Sequence, residues 1–136
     1  MKPMKSEGRL RYNPKLIGGT APSMYLRKWL VIDVEPDIGR YYRHLYQSHH
    51  HNCRTLLRPS WAEHISVVRG EILPSEELWQ KYHGESIEFE YISEIYDDGL
   101  YFWLPVICDR ALEIREELGL PREPEYSLHI TVGNCR

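Results

Sequence analysis

The chain is poor in cysteine and phenylalanine and has no long apolar run. Its three cysteines, Cys53, Cys108 and Cys135, are an odd set without a CxxC pair. That suits reduced thiols in a cytosol and excludes a disulfide framework or a zinc ribbon. The longest apolar stretch, Leu100 to Cys108, falls well short of the roughly 20 residues that cross a bilayer. The charged N-terminus has no apolar signal segment behind it. The expectation is a cytoplasmic protein with no membrane partner.

Net charge is also small, at −3 from 17 basic and 20 acidic residues, which argues against a long polyanion as partner. The distribution is uneven. Residues 1–28 hold Lys2, Lys5, Arg9, Arg11, Lys15, Arg27 and Lys28 against Glu7 alone. That segment therefore carries +6 and the remaining 108 residues −9. The sequence reads as a basic N-terminal arm on an acidic body, a single domain over residues 1–136. A composition of 42% apolar and 27% charged residues is that of a globular chain with a core.

The arm, with Asn13-Pro14, Gly18-Gly19 and Pro22, reads as an extended segment lying on the body. Trp29 to Val34 alternates Leu30, Ile32 and Val34 on one face, as a strand does. Pro36 and Asp37 open a helix through Ile38, Tyr41, Tyr42 and Leu45. Ala62 to Val68 is a second strand, and Ser75 caps a short helix through Leu78, Trp79 and Tyr82. Ser86 to Ile92 alternates as a half-exposed strand, and Asp97-Asp98-Gly99 turns into a strand over Tyr101 to Ile107. Asp109 caps a helix that Gly119 and Pro121 end. Ser127 to Val132 is the last strand.

Each half of the chain is thus a β-α-β unit, and the two end on similar strands: Glu63-His64-Ile65-Ser66-Val67 and Leu128-His129-Ile130-Thr131-Val132. Strand alternation puts His64 with Ser66, and His129 with Thr131, on the face opposite the aliphatic residues. With 7 histidines and 12 serines and threonines, about 0.6 His-x-Ser/Thr matches arise by chance. Two matches alone are therefore weak, and their weight comes from both ending a β-α-β unit. Two imidazoles suit in-line cleavage of a phosphodiester without a metal. One removes a proton from the attacking hydroxyl, the other protonates the leaving oxygen, and a pKa near 6.5 allows both duties. The hydroxyls of Ser66 and Thr131 donate to the non-bridging phosphate oxygens.

The pair His64-Ile-Ser-Val67 and His129-Ile-Thr-Val132 resembles the double H-x-[ST]-x motif of the two-histidine (2H) phosphoesterases. Within that superfamily, HISVVRGE at 64–71, FWLPV at 102–106 and YSLHITVGN at 126–134 are similar to the phage anti-CBASS nucleases. The resemblance covers the body from about Trp29 onward. It implies an α/β (α+β) fold of two pseudo-symmetric β-α-β lobes, with antiparallel sheets around a central cleft. It also implies a metal-independent and cofactor-free enzyme that opens cyclic di- and trinucleotide messengers in a host cytoplasm. The ribose 2′-hydroxyl would be the nucleophile, and the linear products would end in a 3′-phosphate. Ser66 departs mildly from the threonine favoured in both motifs.

For the flat bases and phosphates of such a ligand the candidate contacts are Tyr12, Lys15, Arg69, Glu71, Trp79 and Trp103. The resemblance favours Tyr12 as a stacking residue. Trp103, in an apolar strand, and Trp79, on an amphipathic helix, also have core readings. Arg69 can hold a phosphate or pair with Glu71. The run His49-His50-His51, with His44 and Cys53, lacks carboxylates at a fixed spacing and reads as a polar helix end rather than a metal site. Rival functions are a 2′,3′-cyclic phosphodiesterase of RNA processing and a non-catalytic cyclic-nucleotide sponge. The acidic body offers no track for long nucleic acid.

Overall fold

A computed structural model of the chain describes residues 3–13, 28–49, 56–59 and 62–135. Among them are strands β1 (Pro3–Tyr12), β2 (Lys28–Asp33), β3 (His64–Glu71), β4 (Ser86–Ile92), β5 (Tyr96–Asp97), β6 (Tyr101–Ile107) and β7 (His129–Asn134), with helices α1 (Pro36–His49) and α2 (Asp109–Glu117). The strands form one antiparallel sheet in the order β4-β1-β2-β3-β7-β6-β5. A further β4–β6 pairing closes six of them into a barrel.

The duplicated pattern is present, with a larger repeat than β-α-β. In the closed order, β1, β2 and β3 with α1 occupy places equivalent to β4, β6 and β7 with α2. Each half is a β-β-α-β unit, and the halves join at β1–β4 and β3–β7. The expectation of two lobes with antiparallel sheets did not describe the barrel, in which one continuous sheet carries both halves.

The arm is corrected too. Pro3–Tyr12 is a ten-residue strand paired on both sides, with β2 and with β4. Its inward positions are Gly8, Leu10 and Tyr12, so only two of them are apolar and the alternation is faint. Gly8 is required there, because a Cβ would run into the backbone carbonyl of Asp33 and the Ile32 side chain. Two of the arm's basic residues are likewise tied to the body: Arg11 pairs with Asp33 and Arg9 donates to the Gly84 carbonyl.

The core gathers the aliphatic face of the sheet, with Leu30, Ile32, Ile65, Leu104, Ile130 and Val132 fully buried. Each such side chain contributes about 1.5–3 kcal/mol relative to exposure. Helix α1 packs on the same core through Tyr42, against Tyr91, and Tyr46, against Phe102. Helix α2 buries Ala111, Ile114 and Arg115. Each helix also sends an arginine to the strand of the other half. Arg43 Nη1 donates to the Val132 carbonyl and Arg115 Nη1 to the Val67 carbonyl, both at 2.9 Å. Val67 and Val132 each stand three residues after a motif histidine.

Two local expectations fail. After Ser75 the chain makes successive turns instead of a helix, and the positive φ of Gln80 (69°) and Gly84 (80°) is incompatible with one. Helix α2 is capped by Cys108 without a side-chain hydrogen bond, and Asp109 lies in its first turn. No helix among the described residues is long and apolar enough to cross a membrane.

Candidate active site

The rung between β3 and β7 pairs Ile65 with Ile130. Antiparallel register, continued one residue each way, sets His64 across from Thr131 and Ser66 across from His129. The isoleucines point into the core and all four polar residues share the opposite face, where they are half-buried. The rows continue outward. Asp33 pairs with His64 and Trp103 with Thr131; Val31 pairs with Ser66 and Pro105 with His129.

Both imidazoles are held by the same device. His64 Nδ1 lies 2.9 Å from the Ala62 carbonyl and His129 Nδ1 lies 2.6 Å from the Ser127 carbonyl, each two residues back. A carbonyl only accepts, so Nδ1 carries the proton and Nε2 the lone pair that proton transfer uses. Burial pushes both histidines below their ordinary pKa. The backbone carbonyls and, for His64, the charge of Asp33 oppose that shift, and Arg69 adds to it for His129. Burial thus favours the neutral ring at both positions before an anion arrives.

A cavity of about 180 Å³ opens beside His129, lined by Trp29, Ser66, Arg69, Glu71, Tyr126 and the 124–125 segment. The Arg69 guanidinium lies over the exposed Tyr126 ring, 5.0 Å from its centroid. Glu71 is committed to structure. Its carboxylate accepts from the buried Arg115 at 2.8 and 3.1 Å and from the Arg69 backbone N–H at 3.1 Å. Burial raises the Glu71 pKa, but these bonds outweigh it and hold the group below the usual carboxylate range. Trp103 stands at the site, with its ring centroid 6.1 Å from that of His129.

Tyr12 is elsewhere. It is 5% exposed, packs edge-on to Trp79 at 4.7 Å, and its hydroxyl accepts from the Tyr82 backbone N–H at 3.4 Å. Neither Tyr12 nor Trp79 lines the cavity; both belong to the packing between β1 and the turns after Ser75. Tyr12 is thus buried and Trp79 partly buried in that packing, away from His64 and His129. Lys15, His50, His51 and Cys53 lie outside the described residues.

Sequence reasoning missed Asp33, Trp29 and Tyr126, and took Arg11 only as one of the arm's cations near Tyr12 and Lys15. Arg11 grips Asp33 with two bonds, of 2.7 and 2.8 Å, beside His64. The signal was the strand Trp29 to Val34, whose alternation sets Trp29 and Asp33 on the face opposite Leu30 and Ile32. Against protein-family models, curated proteins and solved structures alike, comparison of the chain finds no match.

Proposed function

We propose that this protein is a two-histidine phosphodiesterase that opens 3′,5′-linked cyclic di- and oligonucleotides to linear products ending in a 3′-phosphate. If phage-encoded, it would act in the host cytoplasm against cyclic-nucleotide immune signalling. The observation that carries the reading is the diagonal arrangement on β3 and β7: two imidazoles with identical Nδ1 anchors, each facing a hydroxyl of the other strand. A phosphodiester between them would receive a base and an acid from opposite sides, as in-line displacement needs. The Ser66 and Thr131 hydroxyls would donate to the non-bridging oxygens as charge builds in the transition state. The chemistry asks nothing of a metal. The cavity with Arg69, Tyr126 and Trp103 at the same face supports an anionic, aromatic ligand.

The rival 2′,3′-cyclic phosphodiesterase would use the same four residues. Truncating the N-terminus does not separate the two readings, because β1 is a strand of the barrel. Substrate competition does. Incubated with 3′3′-cyclic GMP-AMP in EDTA, the protein should yield linear dinucleotide by chromatography, at a specificity constant above that for 2′,3′-cyclic mononucleotides. A ring left intact after long exposure refutes the proposal. Preferential turnover of the mononucleotide supports the rival.

A further inference from the structure

The two halves are equivalent in topology, in motif and in Nδ1 anchor, yet they differ in the charges set against each histidine. On β2 the partner of His64 is Asp33, whereas the equivalent partner of His129 on β6 is Pro105. Five residues after His64 stands Arg69, whereas five residues after His129 stands Asn134, which is bound to the Leu57 backbone. Arg69 turns to the His129 cavity that it lines with Ser66 and Tyr126. The charged surroundings of His64 are Asp33 on β2, Arg11 on β1 and His129 on β7. Those of His129 are Arg69 on β3 and, lining the same cavity, Glu125 and Glu71, the latter already neutralised by its two bonds from Arg115.

We propose that the two histidines have fixed and different duties, with His64 the general acid and His129 the general base, set by Asp33 beside the first and Arg69 beside the second. This rests on the phosphodiesterase reading above. A carboxylate favours the imidazolium that must give up a proton, and a guanidinium favours the neutral ring that must accept one. Arg11 holds Asp33 in place, and among the charges that act on His64 the carboxylate's is the strongest. In the first step the 2′-oxygen bonds to phosphorus as its proton passes to His129 Nε2. His64 enters the step as the imidazolium, its Nε2 having taken a proton from water as the anionic ring bound; the bond from phosphorus to the 5′-oxygen breaks, and that oxygen takes this Nε2 proton. The attacking ribose is then the one whose nucleotide occupies the cavity of Trp29, Arg69 and Tyr126. Hydrolysis of the resulting 2′,3′-cyclic phosphate reverses the two roles.

Asp33 and Arg69 are thus positioning residues for charge. In the bell-shaped profile of kcat/KM, the alkaline limb reports the acid and the acidic limb the base. Asp33→Asn should move the alkaline limb to lower pH, and Arg69→Met should move the acidic limb to higher pH. The decisive substrate is a cyclic dinucleotide whose bridging 5′-oxygens are replaced by sulfur, a leaving group that needs no proton. His64→Ala should lose about 10²- to 10⁴-fold on the oxygen ring yet cleave the sulfur ring within about tenfold of wild type, while His129→Ala fails on both. Rescue of His129→Ala instead, or of neither variant, overturns the assignment and leaves the phosphodiesterase reading standing. A wild-type protein that opens neither ring overturns both.

Discussion

Ile65 of β3 stands opposite Ile130 of β7, both with no exposed surface, and this rung decides what the opposite face displays. Because side chains alternate, a slip of one residue would bury the histidines and expose the isoleucines. Ile65→Ala should cost about 2–5 kcal/mol in urea unfolding. A loss well below that range would mean that the rung is not part of the packed core.

Arg115 carries a comparable burden at the back of β3. It is 1% exposed and donates to the Pro121 and Val67 carbonyls and to Glu71. Arg115→Ala should destabilise by about 3 kcal/mol, the lower end for breaking a buried pair, since Glu71 keeps partial solvent access. Arg115→Lys should recover little, because one ammonium cannot reproduce a planar fork. Thermal unfolding of the two variants tests this, and full recovery by lysine would contradict it.

Tyr12 separates the structural reading from the ligand reading. Tyr12→Ala should cost about 3–5 kcal/mol as an aromatic core truncation, with KM unchanged in whatever folds. Tyr12→Phe, which leaves the Tyr82 N–H without its acceptor, should cost about 0.5–1.5 kcal/mol. A raised KM with stability intact would return Tyr12 to the ligand.

The histidines give folding a pH dependence of definite sign. Their folded pKa values lie below the unfolded value of about 6.5, so the unfolded chain binds protons more readily. Stability is complete above about pH 6.5 and is lost as the pH falls from there toward the folded values. The urea midpoint should be lower at about pH 5 than at about pH 7.5, and the double variant His64→Gln, His129→Gln should flatten the difference. An unchanged slope in that variant would place the dependence on other groups.

Strong local periodicity made β2, α1, β3, β4, β6, α2 and β7 legible in the sequence, along with the four motif residues. What was not legible rests on non-local pairing. Strand β1 has a weak apolar face because Gly8 must let β2 approach, and its role appears only once β2 and β4 flank it. Barrel closure through Glu90–Ile107 and Tyr91–Val106 leaves no mark in either strand alone. Trp79 and Tyr82 keep a helical spacing, but positive φ at Gln80 breaks the helix their pattern suggests. Asp33 gained meaning only from its register with His64.

The central claim is that His64 and His129 together cleave a phosphodiester. It is tested most directly by single-turnover cleavage of 3′3′-cyclic GMP-AMP in EDTA by the wild type, His64→Ala and His129→Ala, each shown to be folded by circular dichroism. The account predicts that the wild type opens the ring and that each variant is slower by about 10²-fold or more. A folded variant of either kind that opens the ring at the wild-type rate would contradict it.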